Sequence, residues 1–165
     1  MMLAEFNGAH RSDAVDLLRP CLDIRRWYEQ LADARPYRDR ETLLTAARER
    51  AHPFTADEVA TAMSHHPRIG ERPAGHDAEA ALSRSEQAGV DANDTAVTAA
   101  LAAGNRAYEQ KFDRVFLIRA AGRSAEQILA ALTERLEHSA AEEETIVAEQ
   151  LREIALLRLE GLIPA

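Results

Sequence analysis

The chain reads as an all-α protein, a single domain (1–165) built as a bundle of about eight helices with one short extended segment near residues 115–120. Three observations predict this. The 46% hydrophobic share is carried mainly by Ala and Leu, while β-branched and aromatic residues are few, a balance that favours helix over strand. Seven glycines and six prolines are too few for the many turns of an all-β chain of this length. Apolar residues also recur at i, i+3, i+4, i+7 through most of the chain.

Ser12 is the expected N-cap of a first helix carrying Ala14, Leu17, Leu18 and Cys21, which Pro20 ends or kinks. Ile24, Trp27, Tyr28 and Leu31 mark a second helix, and Leu43, Leu44, Ala47 and Ala51 a third, over 39–51. Thr55-Ala56-Asp57-Glu58 is a capping box, in which hydroxyl and carboxylate satisfy orphan amides, so a fourth helix starts there. Its stripe is Val59, Ala62, Met63, His66. Pro67 bars further helix, which puts His66 at a helix C-terminus on the buried face, half in the core and half towards a loop. Residues 67–77, with Pro67, Gly70, Arg72, Pro73 and Asp77, have loop composition.

A fifth helix, about 78–88, places Ser83, Glu86 and Gln87 on one face, which pattern alone assigns to solvent. A sixth runs from Asp94 to Phe112, and Gly104 inside it implies close approach of a neighbour. Val115-Phe116-Leu117-Ile118 is the one β-like run; in a helical protein its amides and carbonyls lack a ladder and are available to a polar group. Ser124-Ala125-Glu126-Gln127 is a second capping box and opens a seventh helix. In the last, about 140–160, Arg158 continues the apolar stripe of Val147, Leu151 and Ile154. A cation there needs a buried anion or a ring of acceptors.

Bulk properties exclude several classes. Net charge is −8 with no basic stripe, which argues against nucleic acid. No apolar run reaches the length of a membrane span and no secretory leader pattern opens the chain, so a cytoplasmic protein is expected. Cys21 alone forms no intramolecular disulfide and reads as a small core residue. The six histidines form no zinc-binding spacing, and phosphate loops, nucleophile elbows and dinucleotide fingerprints are missing.

What remains is acid–base chemistry by His66, with a carboxylate to tune it and an arginine to hold an anion. Two other readings stay open on the residues alone. One is a metal-dependent hydrolase or lyase using His65, His66, Asp77 and Glu86. The other is an acidic helical interaction module in which His66 and Arg158 pair with core carboxylates.

Five motifs in order narrow the choice: His66-Pro67-Arg68-Ile69-Gly70, Ser83-x-x-Glu86-Gln87, Asn105-x-x-Tyr108-x-x-Lys111-Phe112, Phe116-Leu117-Ile118-Arg119-Ala120 and Leu157-Arg158-Leu159. From Phe6-Asn7 to the last helix the chain resembles the 2-oxo-4-hydroxy-4-carboxy-5-ureidoimidazoline (OHCU) decarboxylases of purine catabolism, bacterial type. That resemblance implies an all-α homodimer that needs no cofactor or metal and converts OHCU to (S)-allantoin and CO2. It implies that His66 is the catalytic histidine and Glu86 its acidic partner. Pro67, Ser83, Gln87, Arg158 and the strip Phe116, Leu117, Ile118, Arg119, Ala120 would contact substrate, the strip through its backbone. Two places depart from the family pattern. Many relatives have Asp-Leu where this chain has Arg68-Ile69, and Lys-Phe-Gly-Phe-Pro-Phe where it has Lys111-Phe112-Asp113-Arg114-Val115-Phe116.

Overall fold

The structure, a computed structural model, describes residues 1–71, 78–90 and 94–165. Among these, nine α-helices and one 3-10 turn form and no strand does, so the all-α expectation holds. The elements are α1 (Leu3–Gly8), α2 (Arg11–Leu18), α3 (Arg25–Asp33), α4 (Arg40–Glu49), α5 (Ala56–Met63), α6 (Ala78–Glu86), the 3-10 turn Ala88–Val90, α7 (Thr95–Phe112), α8 (Ala125–Arg135) and α9 (Ala140–Leu162). They fall into two compact units: Met1–Ser64 with Leu151–Ala165, and His65–Gln150.

In the first unit, Phe6, Leu18, Trp27, Leu31, Leu43 and Leu159 are all 0% exposed, each burial contributing ~1.5–3 kcal/mol. Trp27 keeps its indole N–H satisfied by donating to Ala47 C=O at 2.9 Å. Arginines close the helix ends. Arg35 Nη1 donates to the carbonyls of Phe6 and Ala9, and its Nε to that of Ala32. Arg40 reaches Glu160 and Ile163, and Arg152 reaches Ala47 and Arg50. These guanidinium groups satisfy carbonyls that the last helical turns leave unpaired. Cys21 is a buried thiol at 3% exposure, as its apolar spacing implies. Arg158 is 4% exposed, and its Nη1 donates to Pro20 C=O at 2.8 Å, a neutral acceptor for a cation on the core stripe.

Two helix boundaries in this unit differ from expectation. α2 begins one residue before Ser12, with His10 at the N-cap, and Leu3–Gly8 forms a helix of its own. Six residues give too little periodicity to detect; Phe6 alone of them is buried. The Thr55–Glu58 capping box forms as expected, at 2.8 and 3.1 Å, but α5 ends at Met63. Ser64 caps it by donating its hydroxyl to Thr61 C=O at 2.7 Å, so His66 lies beyond the helix rather than on its last turn. Pro67 is the physical reason, since it disfavours helical geometry at the preceding residue.

The second unit is organised around α7 and α8. Asp94 accepts from Ala96 N–H at 2.9 Å and starts α7; Ser124 and Gln127 cap α8 reciprocally at 2.8 and 3.2 Å. Leu101, Tyr108, Phe116, Ile128 and Leu132 form the core, with the Tyr108 and Phe116 rings edge to face at 5.2 Å. Gly104 is where α7 meets α8: a Cβ there would lie 2.5 Å from Leu132 Cδ2. A Gly104→Ala methyl gains ~1 kcal/mol in helix propensity. Forcing it against Leu132, itself 1% exposed, costs more. A net loss of ~1–2 kcal/mol is expected by urea denaturation, and a gain would contradict the close approach.

At its C-terminus α7 ends on Asp113 in left-handed geometry (φ 54°, ψ 38°), with the Asp113 amide donating to Glu109 C=O at 2.9 Å. Glycine takes that conformation without Cβ strain, whereas aspartate carries it. Asp113→Gly is expected to stabilise the protein by ~0.5 kcal/mol, strain relief outweighing the added freedom of the unfolded chain. A lowered urea midpoint would contradict it.

Candidate active site

Three contacts hold the loop that follows His66. Arg68 forms a two-pronged pair with Glu109 of α7, Nε to Oε1 at 2.5 Å and Nη2 to Oε2 at 3.2 Å. Asn105 Nδ2 donates to Ile69 C=O at 3.0 Å from the same helix. Gly70, at φ 92°, donates its amide to Gln87 Oε1 at 3.1 Å. That left-handed φ is open to glycine and strains other residues. Arg68, where many relatives carry aspartate, thus acts as a brace between the histidine loop and α7.

The contact between Gln87 and Gly70 brings the end of α6, and with it Glu86, to the loop that starts at His66. His66, Pro67, Glu86 and Gln87 are half-buried, whereas His65 is exposed, its Nδ1 3.8 Å from Glu79 Oε2. Ser83 is 3% exposed, so the face it shares with Glu86 and Gln87 is not the solvated face that pattern alone assigned. Gln87 lies just past α6 rather than inside it, because the helix gives way to the 3-10 turn at Ala88–Val90. Beside this loop is a cleft of about 900 Å³ whose lining includes Arg68, Gly70, Arg84, Gln87, Asn105 and Glu109. Among the described residues, Asn105 Oδ1 is buried there without a hydrogen-bond partner.

The strip Phe116, Leu117, Ile118 and Ala120 is buried at 1–5% exposure, with Arg119 half-buried. Three of its backbone groups, expected to be open to a ligand, are taken. Ala120 C=O accepts from Arg123 N–H at 3.1 Å. Leu117 C=O accepts from Arg135 Nη1 at 2.6 Å, and Arg119 N–H donates to Gln150 Oε1 at 2.8 Å. Arg158, the last predicted contact, belongs to the first unit; the others lie in the second. Asp77, His76, Arg72 and Pro73 lie outside the described residues. Among the described ones, no three His, Cys, Asp or Glu side chains gather as a metal site would need.

A buried ionic cluster escaped sequence reading. Glu143 (1% exposed) accepts from Arg135 Nε at 2.9 Å and Nη2 at 2.7 Å, and from Tyr108 OH at 2.6 Å. His138 Nδ1 lies 2.9 Å from its other oxygen. Burial pushes the Glu143 carboxyl up, but the donors Arg135, Tyr108 and His138 outweigh it and hold the group below the usual carboxylate range. For Tyr108, burial and the adjacent carboxylate both push the phenol up. The signal was available: Arg135 sits three residues after Leu132 and seven after Ile128, and Glu143 four before Val147, both on core stripes.

Comparison with known proteins follows this geometry. A search of curated proteins returned no match. A crystal structure titled as (S)-allantoin synthase superposes with a TM-score of 0.73 over 99% of this chain and 54% of that one, at 15% identity, so this chain spans about half its length. The crystal structure of an OHCU decarboxylase in the presence of (S)-allantoin superposes with a TM-score of 0.72 at 26% identity, over 91% of this chain and 99% of that one. The sequence profile of the OHCU decarboxylases matches residues 7–160, nearly the whole chain and every predicted site residue, and the chain therefore belongs to this family of carboxy-lyases.

Proposed function

We propose that residues 1–165 act as one catalytic domain that decarboxylates OHCU to (S)-allantoin with His66 as proton donor and Glu86 as its acidic partner. The observation that carries this reading is the family match over 7–160, which contains His66, Glu86, the 116–120 strip and Arg158. The substrate's chemistry makes that residue set sufficient. Its carboxylate sits on a carbon next to a C=N bond, so the electron pair left by departing CO2 flows into the ring, and the substrate is its own electron sink. The protein must hold the ring and let the C–C bond break. The hydroxyl-bearing carbon becomes the ring carbonyl as its hydroxyl proton passes to the C=N nitrogen, and one proton must be delivered to one face of the neighbouring, ureido-bearing carbon. His66 supplies that proton, and solvent restores the imidazole.

Gln87 offers the amide end of a carboxamide whose oxygen is anchored on Gly70. Pro67, Ser83 and the 116–120 backbone complete the ring contacts in this reading. For Arg158, support comes from the family resemblance and from a cation kept in the core at 4% exposure. A cytoplasmic homodimer is part of the same reading, and light scattering of the purified protein tests the dimer. The decisive experiment generates OHCU from urate in situ and follows circular dichroism for (S)-allantoin. Faster, single-handed product is expected; racemic product at the spontaneous rate would refute the proposal.

A further inference from the structure

One edge of the 116–120 strip is already committed. Residues two apart on an extended chain turn their amide and carbonyl groups to the same side. Arg135 holds Leu117 C=O and Gln150 holds Arg119 N–H, so side chains of α8 and α9 take the odd-numbered edge. Backbone groups of Phe116 and Ile118 are then directed to the opposite edge, while Ala120 C=O already accepts from Arg123 N–H at 3.1 Å.

Arg135 is built for direction. Its Nε and Nη2 engage the Glu143 carboxylate, which fixes the plane of the guanidinium and leaves Nη1 aimed at Leu117. The same plane lies 4.5 Å over the Phe116 ring. Glu143 is in turn pinned by Tyr108 at 2.6 Å, whose ring meets Phe116 edge to face. A buried ion pair adds little net stability over an apolar pair of equal volume, so what this one adds is orientation. Lysine, with a single nitrogen, supplies the charge without the fork.

Resting on the reading of 116–120 as the substrate strip, we infer that Arg135 is a positioning residue for the decarboxylation. Aimed by Glu143, it fixes the Leu117 carbonyl and the Phe116 ring, so that the opposite edge of the strip receives the substrate ring in one orientation.

The test compares Arg135→Lys, Glu143→Gln and Gly104→Ala in the full chain, with near-UV circular dichroism to establish folding. Steady-state kinetics on OHCU made in situ and the enantiomeric purity of the allantoin are the readouts. Arg135→Lys is expected to raise KM about tenfold with a smaller change in kcat, and to lower the share of (S)-allantoin. Glu143→Gln shifts both in the same direction by less, and decides the matter if the lysine variant does not fold. Gly104→Ala, which loses stability at the α7–α8 contact, keeps the KM and product purity of the wild type. Wild-type KM and purity in folded Arg135→Lys, or an equal KM rise in Gly104→Ala, would overturn the inference and leave the decarboxylase reading standing. An inactive wild type would overturn that reading itself, and the inference with it.

Discussion

His66→Asn is expected to lower kcat for OHCU decarboxylation by about 10²–10⁴-fold, with KM changed far less. Asparagine matches imidazole in reach and hydrogen bonding but has no proton to give at neutral pH, so the variant isolates proton delivery from binding. The residue is half-buried in a loop beyond the end of α5, and the fold should tolerate the change. The product adds a second readout. Without a positioned donor the intermediate is protonated by solvent from either face, and the allantoin loses handedness. Near-normal turnover with unchanged (S) product would remove His66 from the mechanism. Glu86→Gln is expected to lie between this variant and the wild type.

Glu143→Ala is expected to cost about 3–5 kcal/mol, the largest stability loss of any single truncation in the second unit outside its apolar core. The change leaves the Arg135 guanidinium, 6% exposed, without its counter-charge, and leaves the Tyr108 hydroxyl without its acceptor. Urea denaturation measures it; a loss under ~1 kcal/mol would mean that water reaches the cluster. The same cluster sets an acid limit. Because the folded-state pKa of Glu143 lies below its ordinary 4.5, the unfolded chain takes up the proton first as pH falls. The stabilisation is therefore complete above that ordinary value, shrinks on acidification and is gone below the depressed folded pKa. Glu143→Gln has nothing to titrate there, so its stability should approach that of the wild type as the pH is lowered. Parallel profiles for the two proteins would refute the assignment.

Much of the fold was legible where the chemistry is local. Capping boxes at Thr55–Glu58 and Ser124–Gln127 and the aspartate at 94 start helices because each satisfies amides within three residues. Gly104 was legible too, because a missing Cβ implies a neighbour. The run at 115–118 was legible as backbone without a ladder, but not that Arg135 and Gln150 would take part of it. What could not be read were pairings across elements. Nothing local joins Arg68 to Glu109, Gln87 to Gly70 or Arg135 to Leu117, since each needs two segments already placed. His66 shows the boundary between the two cases. Its motif and its proline were visible, but the period-3.6 stripe ran one turn too far, because periodicity cannot register where capping by Ser64 stops the helix.

Lys111 is the sole lysine among 20 basic residues, and its amine, exposed on α7, donates to Leu136 C=O. The arginines that bond main-chain carbonyls do structural work that no amine replaces. Dicarbonyl reagents that modify guanidinium groups would therefore inactivate this protein by unfolding as readily as by blocking a substrate contact, and substrate protection against them would say little. Amine-directed coupling behaves the opposite way. It finds one side chain, on a helix face remote in sequence from His66 and Glu86, and beside it only the exposed α-amine of Met1, so few points attach the folded enzyme to a dye or a surface.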